Sequence, residues 1–266
     1  MDLWKECIEL YGTENALAHK FNKEKKWEFI TYKEFYEMSR LFASALIHRD
    51  ISERSSVAIL GGNHPAWLIG YHGAIFANCI NVGLYFTSEA SACQYILELA
   101  ESEVVMVDSN EQLDKILQIW HKLPRLKYCL HWGPDYTRDK IPRDYQSTIY
   151  SFEDFLKFDK NHGLEAALQE RMDKQGPGLC STYVFTSGTT GHPKGVMLSH
   201  DNYTFLCTLV KELEILKDPS KRPRIVSYLP LSHVAAQYQD VIFTLKSGAC
   251  LYFADDNALK GTLLTY

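Results

Sequence analysis

Ten consecutive residues, Thr186 to Gly195, read Thr-Ser-Gly-Thr-Thr-Gly-His-Pro-Lys-Gly and bring together three glycines, four hydroxyls and one lysine. These are groups suited to an anion. Glycine accepts positive φ, so consecutive backbone N–H groups can turn toward one point, while hydroxyls add donors and Lys194 adds a mobile positive charge. The chemistry is that of holding a polyphosphate. Measured from Gly188, the lysine falls at the offset of the G-x-x-x-x-G-K-[ST] nucleotide loop. However, Pro193 stands where that loop needs glycine, and Gly195 where it needs a hydroxyl for magnesium. A P-loop ATPase is therefore disfavoured.

The loop follows Leu179-Cys180-Ser181-Thr182-Tyr183-Val184-Phe185, a run of β-formers, so a strand delivers it. Upstream, Ser56 to Leu60 is a short apolar run ended by Gly61-Gly62. Pro65 then suits the first turn of a helix over Ala66 to Ala77, and Cys79 to Tyr85 returns to strand character. A parallel pair with a right-handed crossover is expected. The unit recurs: Ser88 is placed as the cap of a helix running to Leu99, Val104 to Asp108 reads as a buried strand, and Glu111 to Leu123 as an amphipathic helix closed by Pro124. The expected fold class is thus α/β, with helices layered on the faces of a sheet. Gly133 to Ser151 turns polar and reads as a surface excursion. A boundary is expected near Lys174 to Gly178, giving a first α/β subdomain over 1–175 and the start of a second over 176–266 that carries the loop. Asp255 to Tyr266 resembles the opening turns of a helix with no stop signal.

Composition excludes several classes. Of 266 residues, 46% are hydrophobic and 23% charged, which is the balance of a folded globular chain. The 28 Lys plus Arg against 33 Asp plus Glu leave a net charge of −5, with no basic footprint for nucleic acid. The seven cysteines form no C-x-x-C pair and read as reduced core thiols. The N-terminus lacks the apolar stretch of a secretory signal, so a cytoplasmic location is expected. The uncharged stretch from Ser55 to Ser88 is too interrupted by Gly, Asn and Pro to span a membrane, which leaves only peripheral membrane contact open. The histidines supply no H-E-x-x-H, and no metal site is expected beyond magnesium carried by a substrate. His48-Arg49-Asp50 copies a kinase triplet, but Ser55 stands where the asparagine should be and no Asp-Phe-Gly follows.

Thr186 through Gly195 resembles the T-S-G-[ST]-T-G-x-P-K-G signature of the adenylate-forming enzymes, the superfamily of acyl-CoA synthetases, luciferases and peptide-synthetase adenylation domains. Tyr228-Leu229-Pro230-Leu231-Ser232-His233 is similar to that superfamily's next motif, L-P-L-x-H. The segments Asn63 to Trp67, Ala92 to Ile96, Val105 to Asp108, Gln112 to Trp120 and Ala258 to Leu263 resemble the long-chain acyl-CoA synthetases of the bubblegum family. By this resemblance the fold is the layered N-terminal domain of adenylate-forming enzymes. The activity is AMP-forming ligation of a long-chain fatty acid to coenzyme A, with ATP, Mg²⁺, fatty acid and coenzyme A as partners. Thr186, Ser187, Gly188, Thr189, Thr190, Gly191, His192, Pro193 and Lys194 are then assigned to the phosphates, with Lys194 steadying charge on pyrophosphate. His233 is placed either at the wall between the α-phosphate and the acyl and pantetheine channels, or as a core histidine bonded to a backbone carbonyl. Trp67, Tyr71 and Phe76 share one helix and are assigned to core packing rather than an acyl tunnel.

The superfamily's adenine motif, its ribose-binding aspartate, its hinge and its C-terminal lysine have no counterpart among these residues. The chain is therefore expected to be the N-terminal part of such a synthetase and negligibly active by itself. The alternative is a truncated, non-catalytic protein that binds nucleotide or a partner.

Overall fold

The computed structural model describes residues 2–22, 24–159, 163–186, 193–210, 222–255 and 258. A seven-stranded sheet forms the centre of the molecule, built from β3 (Ser56–Leu60), β4 (Ile80–Leu84), β5 (Ser102–Val107), β6 (Tyr128–His131), β7 (Ile149–Ser151), β8 (Cys180–Thr186) and β9 (Lys194–Ser199). Its order is β7-β6-β5-β3-β4-β8-β9. Every neighbouring pair is parallel except the last, in which β9 runs antiparallel to β8. A second sheet has four strands, in the order β10-β11-β1-β2: β1 (Asn15–His19), β2 (Glu28–Thr31), β10 (Arg224–Ser227) and β11 (Cys250–Phe253). Both sheets take strands from each side of residue 175.

The α-helices of five or more residues among the described ones are α1 (Asp2–Tyr11), α2 (Tyr32–His48), α3 (Pro65–Phe76), α4 (Ala90–Leu99), α5 (Asn110–Ile119), α6 (Phe152–Leu156), α7 (Glu165–Asp173) and α8 (His200–Val210). Strands β3, β4 and β5 are buried along their whole length, as parallel strands covered on both faces must be. One face is covered by α4 and α5, whose Cys93, Ile96, Leu113 and Ile116 pack with Val82, Val105 and Val107. On the other face Trp67, Tyr71 and Phe76 of α3 join Phe42, Met106 and Leu231. Helix α3 is apolar all round because it is enclosed all round, with only Ile75 less than fully buried. Its aromatic residues are core, as expected.

Three boundaries differ from the sequence reading. The cap of α4 is at Glu89, one residue past Ser88, and no side-chain cap forms there; Ser88 lies in the preceding turn, its N–H donating to Tyr85 O at 2.9 Å. The polar stretch from Gly133 ends not in a loop but in β7, which pairs with β6 through Cys129↔Ile149 and His131↔Ser151. The first 31 residues, unassigned by pattern, supply α1 and two strands of the smaller sheet. There Thr31 and Glu34 form a reciprocal cap at the start of α2. All seven cysteines are free, and all but Cys180 are buried. Among the described residues, no helix is long and apolar enough to cross a membrane.

Candidate functional site

The phosphate-loop candidate sits at the end of a two-stranded ribbon. Strands β8 and β9 pair with Tyr183↔Met197, Val184↔Val196, Phe185↔Gly195 and Thr186↔Lys194, so Thr186 and Lys194 face each other across the ribbon's mouth. Both side chains are exposed, and Pro193 beside them is half-buried. Ser187, Gly188, Thr189, Thr190, Gly191 and His192 lie outside the described residues. Gly195 packs close to its cross-strand neighbour: a Cβ there would meet the Phe185 ring at 3.1 Å.

His233 is reached from the same sheet. Strand β8 pairs in parallel with β4 through Gly83↔Val184, and a Cβ on Gly83 would lie 2.8 Å from the Cα of Ser232. Glycine at this strand position lets the Leu229 to His233 segment rest directly on β4. The imidazole of His233 is exposed rather than in the core. Its Nδ1 accepts the Ala235 N–H at 3.1 Å, capping the short turn Val234–Ala236. With Nδ1 so engaged, the hydrogen-bond pattern assigns the neutral ring's proton to Nε2, which faces outward as a donor. The alternative of a core histidine bonded to a carbonyl is thereby set aside.

After the turn the chain winds as a π-helix over Gln237–Phe243, a geometry that recurs at functional positions. Gln237 is fully buried: its Nε2 donates to Leu231 O at 3.0 Å, and its Oε1 accepts from the Tyr203 hydroxyl of α8. Burial pushes the Asp240 carboxyl up to about 7, with the hydrogen bond from Ser227 acting in the opposite direction. Sequence reasoning did not single out Asn63, Gly83, Gln237 or Asp240. A signal existed only for Asn63, which follows Gly61-Gly62 at the carboxyl end of a buried strand, where side chains of an α/β sheet enter the crevice at the strand ends.

Among the described residues, no group of three His, Cys, Asp or Glu side chains is placed to hold a metal. The arrangement offers a cation and a hydroxyl at one ribbon mouth, and an outward-facing imidazole on a segment seated on the adjoining strand.

The family model for the AMP-binding enzymes matches residues 9–266. The chain belongs to that family. It is 38% identical over 98% of its length to the long-chain-fatty-acid–CoA ligase ACSBG2 of Xenopus laevis, and 39% identical over 98% to ACSBG1 of Homo sapiens. The resemblance to bubblegum synthetases found in short segments thus extends along nearly the whole chain. The chain spans only about a third of these relatives, 34% and 35% of their lengths. Among solved structures, it resembles a long-chain-fatty-acid CoA ligase from Rhodopseudomonas palustris with a TM-score of 0.75 at 16% identity, covering 97% of this chain and 58% of that one. It also resembles an anthranilate CoA ligase in complex with anthranoyl-AMP, with a TM-score of 0.78 at 19% identity, covering 99% and 46%. At such identities the likeness shows the fold, that of adenylate-forming enzymes.

Proposed function

We propose that the protein bearing this chain is an AMP-forming long-chain fatty acid–CoA ligase, to which this chain contributes the phosphate loop and His233. A carboxylate oxygen of the fatty acid attacks the α-phosphorus of ATP, and the bond to the β-phosphate oxygen breaks to release pyrophosphate. The thiol of coenzyme A then attacks the acyl carbon, loses its proton, and expels AMP. Magnesium enters with ATP as part of the substrate. Phosphoryl chemistry of this kind asks the protein chiefly for position and charge.

The observation that carries the reading is the pairing of Thr186 with Lys194 at the mouth of the β8–β9 ribbon. It sets a hydroxyl and an ammonium at the two ends of a segment of five glycine and hydroxyl residues followed by His192 and Pro193. Lys194 is assigned to charge on the departing pyrophosphate. His233, with Nε2 outward, is assigned to orienting the carboxylate or closing the path to the α-phosphate. Because the chain spans only about a third of its relatives, 34% and 35% of their lengths, the 266-residue polypeptide alone is expected to make negligible acyl-CoA.

The test is Lys194→Ala in the complete protein, assayed for acyl-CoA formation from fatty acid, ATP and coenzyme A. A fall in kcat/KM of roughly 10-fold or more is expected, equivalent to at least ~1.4 kcal/mol of transition-state stabilisation. An unchanged value removes Lys194 from the site.

A further inference from the structure

Around His233, several backbone groups are tied to side chains. Asn63, in the turn after β3, makes three contacts with the segment that leads to the histidine. Its Nδ2 donates to Ser227 Oγ at 2.9 Å and to Leu229 O at 2.7 Å, while its Oδ1 accepts the Leu231 N–H at 2.9 Å. The neighbouring groups are also occupied: Leu231 O by Gln237 Nε2, Pro230 O by the His233 N–H at 2.8 Å, and His233 O by the Gln237 N–H at 3.1 Å. Ser227, whose hydroxyl Asn63 reaches, donates in turn to Asp240 Oδ2 at 2.6 Å. A segment fixed at successive positions nevertheless ends in an exposed imidazole. Rigid backbone supporting a free side chain is the arrangement of a presented functional group.

Topology says why Asn63 can do this. The chain places β4 on one side of β3 and β5 on the other, so the strand order reverses at β3, and its carboxyl end opens on the crevice where doubly wound sheets take their ligands. Here the chain's own Ser227 to Leu231 segment lies against the residue at that position. The crevice therefore serves to seat protein. Gly83 of β4 supplies the floor under Ser232, and Asn63 supplies the side wall.

We propose that Asn63 is a positioning residue for His233: its carboxamide clamps Leu229 and Leu231 and so fixes where the imidazole is presented to the reacting groups. This rests on the proposed ligase reading for its kinetic consequence, but not for its structural one. The side-chain hydrogen bonds of Asn63 go to Ser227, Leu229 and Leu231, so it acts on His233 through the segment between them.

The test has a spectroscopic arm and a kinetic arm. In the spectroscopic arm, histidine ring nitrogen signals are recorded by NMR, with His233 assigned by loss of its signal in His233→Gln. The native ring is expected to show a single tautomer with Nδ1 as acceptor, and Asn63→Ala to shift it toward tautomer averaging. The buried rings of His72 and His131, whose Nδ1 atoms accept from Trp4 Nε1 and the Gly133 N–H, stay in place as controls of the fold. A folded Asn63→Ala chain with an unmoved His233 signal overturns the proposal. Should that variant not fold, Asn63→Asp keeps the acceptor for Leu231 and loses the amide donors. It is expected to show an intermediate shift, and an unmoved signal there overturns the proposal equally.

In the kinetic arm, Asn63→Ala in the complete protein is expected to lower kcat about 10- to 100-fold while leaving KM for ATP within about 2-fold. A rise in KM with kcat unchanged overturns it. If His233→Gln itself leaves kcat unaltered, the ligase role of the imidazole fails, and the ring spectra still decide whether Asn63 holds it in place.

Discussion

The two candidate groups stand on supports of opposite kinds. Lys194 opens β9, an edge strand whose first four residues are exposed, with Val196 at 45% and Met197 at 65%. It is placed by a backbone ladder that almost any side chain would permit. His233 ends a segment in which Leu231 and Ser232 are at most 4% exposed, and which is held by Asn63, Gln237 and the close approach at Gly83. There, residue identity carries the geometry. Substitutions on the ribbon should change chemistry with little change in stability, whereas substitutions around the segment should change both, and four variants separate the two cases.

The largest effect is expected at Asp240, whose carboxyl burial lifts from an ordinary 3.8 to about 7. For an acid whose folded pKa is raised, stabilisation is fully present below the unfolded value and is lost as pH rises through the folded one. The native chain should therefore lose about 3 kcal/mol of stability between pH 5 and pH 8 from this group. Asp240→Asn keeps an acceptor for Ser227 and removes the titration. Its stability relative to native should grow by about 3 kcal/mol from pH 5 to pH 8, read as a widening gap between the two urea midpoints. Parallel native and variant curves would show that Asp240 is not the source.

Next comes Gly83→Ala. The added methyl meets the backbone of Ser232 at 2.8 Å, and neither the buried strand nor the clamped segment can give way easily. A loss of about 2 kcal/mol is expected from overpacking, read as a lowered denaturation midpoint, together with a displaced His233 ring signal. If stability fell while that signal held, the segment would be less rigid than its hydrogen bonds imply. Lys194→Ala should do the reverse: the kinetic loss of at least ~1.4 kcal/mol proposed above should come with a denaturation midpoint within about 0.5 kcal/mol of native, as for exposed surface positions. A large stability loss at Lys194 would dissolve the contrast between the two supports.

What the sequence made legible follows the same division. The strands around β3 and the helix α3 were readable because burial on both faces leaves continuous apolar runs, and Pro65 marks the helix start. The β8 strand was visible through its β-formers, and Thr186 and Lys194 through their loop. The N-terminal strand β1, Asn15–His19, was not: it is five residues long, and besides its neighbour β2 it rests on β11, whose Leu251 and Tyr252 lie more than two hundred residues away. The same holds for Asn63, whose three acceptors and donors belong to residues 227–231. Local pattern reports what a residue is near in the chain. A clamp closed across such a separation leaves no local period. Ser88 misses the cap by one residue: its N–H closes a turn onto Tyr85 O, and the first helical bond, from the Cys93 N–H to Glu89 O, starts at the residue after it.

The smallest expected effect repeats the Gly83 substitution on the other support. In Gly195→Ala the methyl meets the Phe185 ring at 3.1 Å rather than a backbone atom. A ring contact a few tenths of an ångström too close can be relieved by rotation, and β9 is an edge strand free on one side. The loss of stability should stay under about 1 kcal/mol. Activity is the sharper readout, because Gly195 directly follows Lys194 and pairs with Phe185 beside Thr186. If relief comes from the ring, kcat/KM in the complete protein should remain within about 3-fold of native, equivalent to less than ~0.7 kcal/mol. If instead the strand shifts, Lys194 moves with it, and the kinetic loss should approach that of Lys194→Ala while the midpoint barely changes. That second outcome would mean the ribbon mouth also depends on a specific side-chain contact, and that the two supports differ in degree rather than in kind.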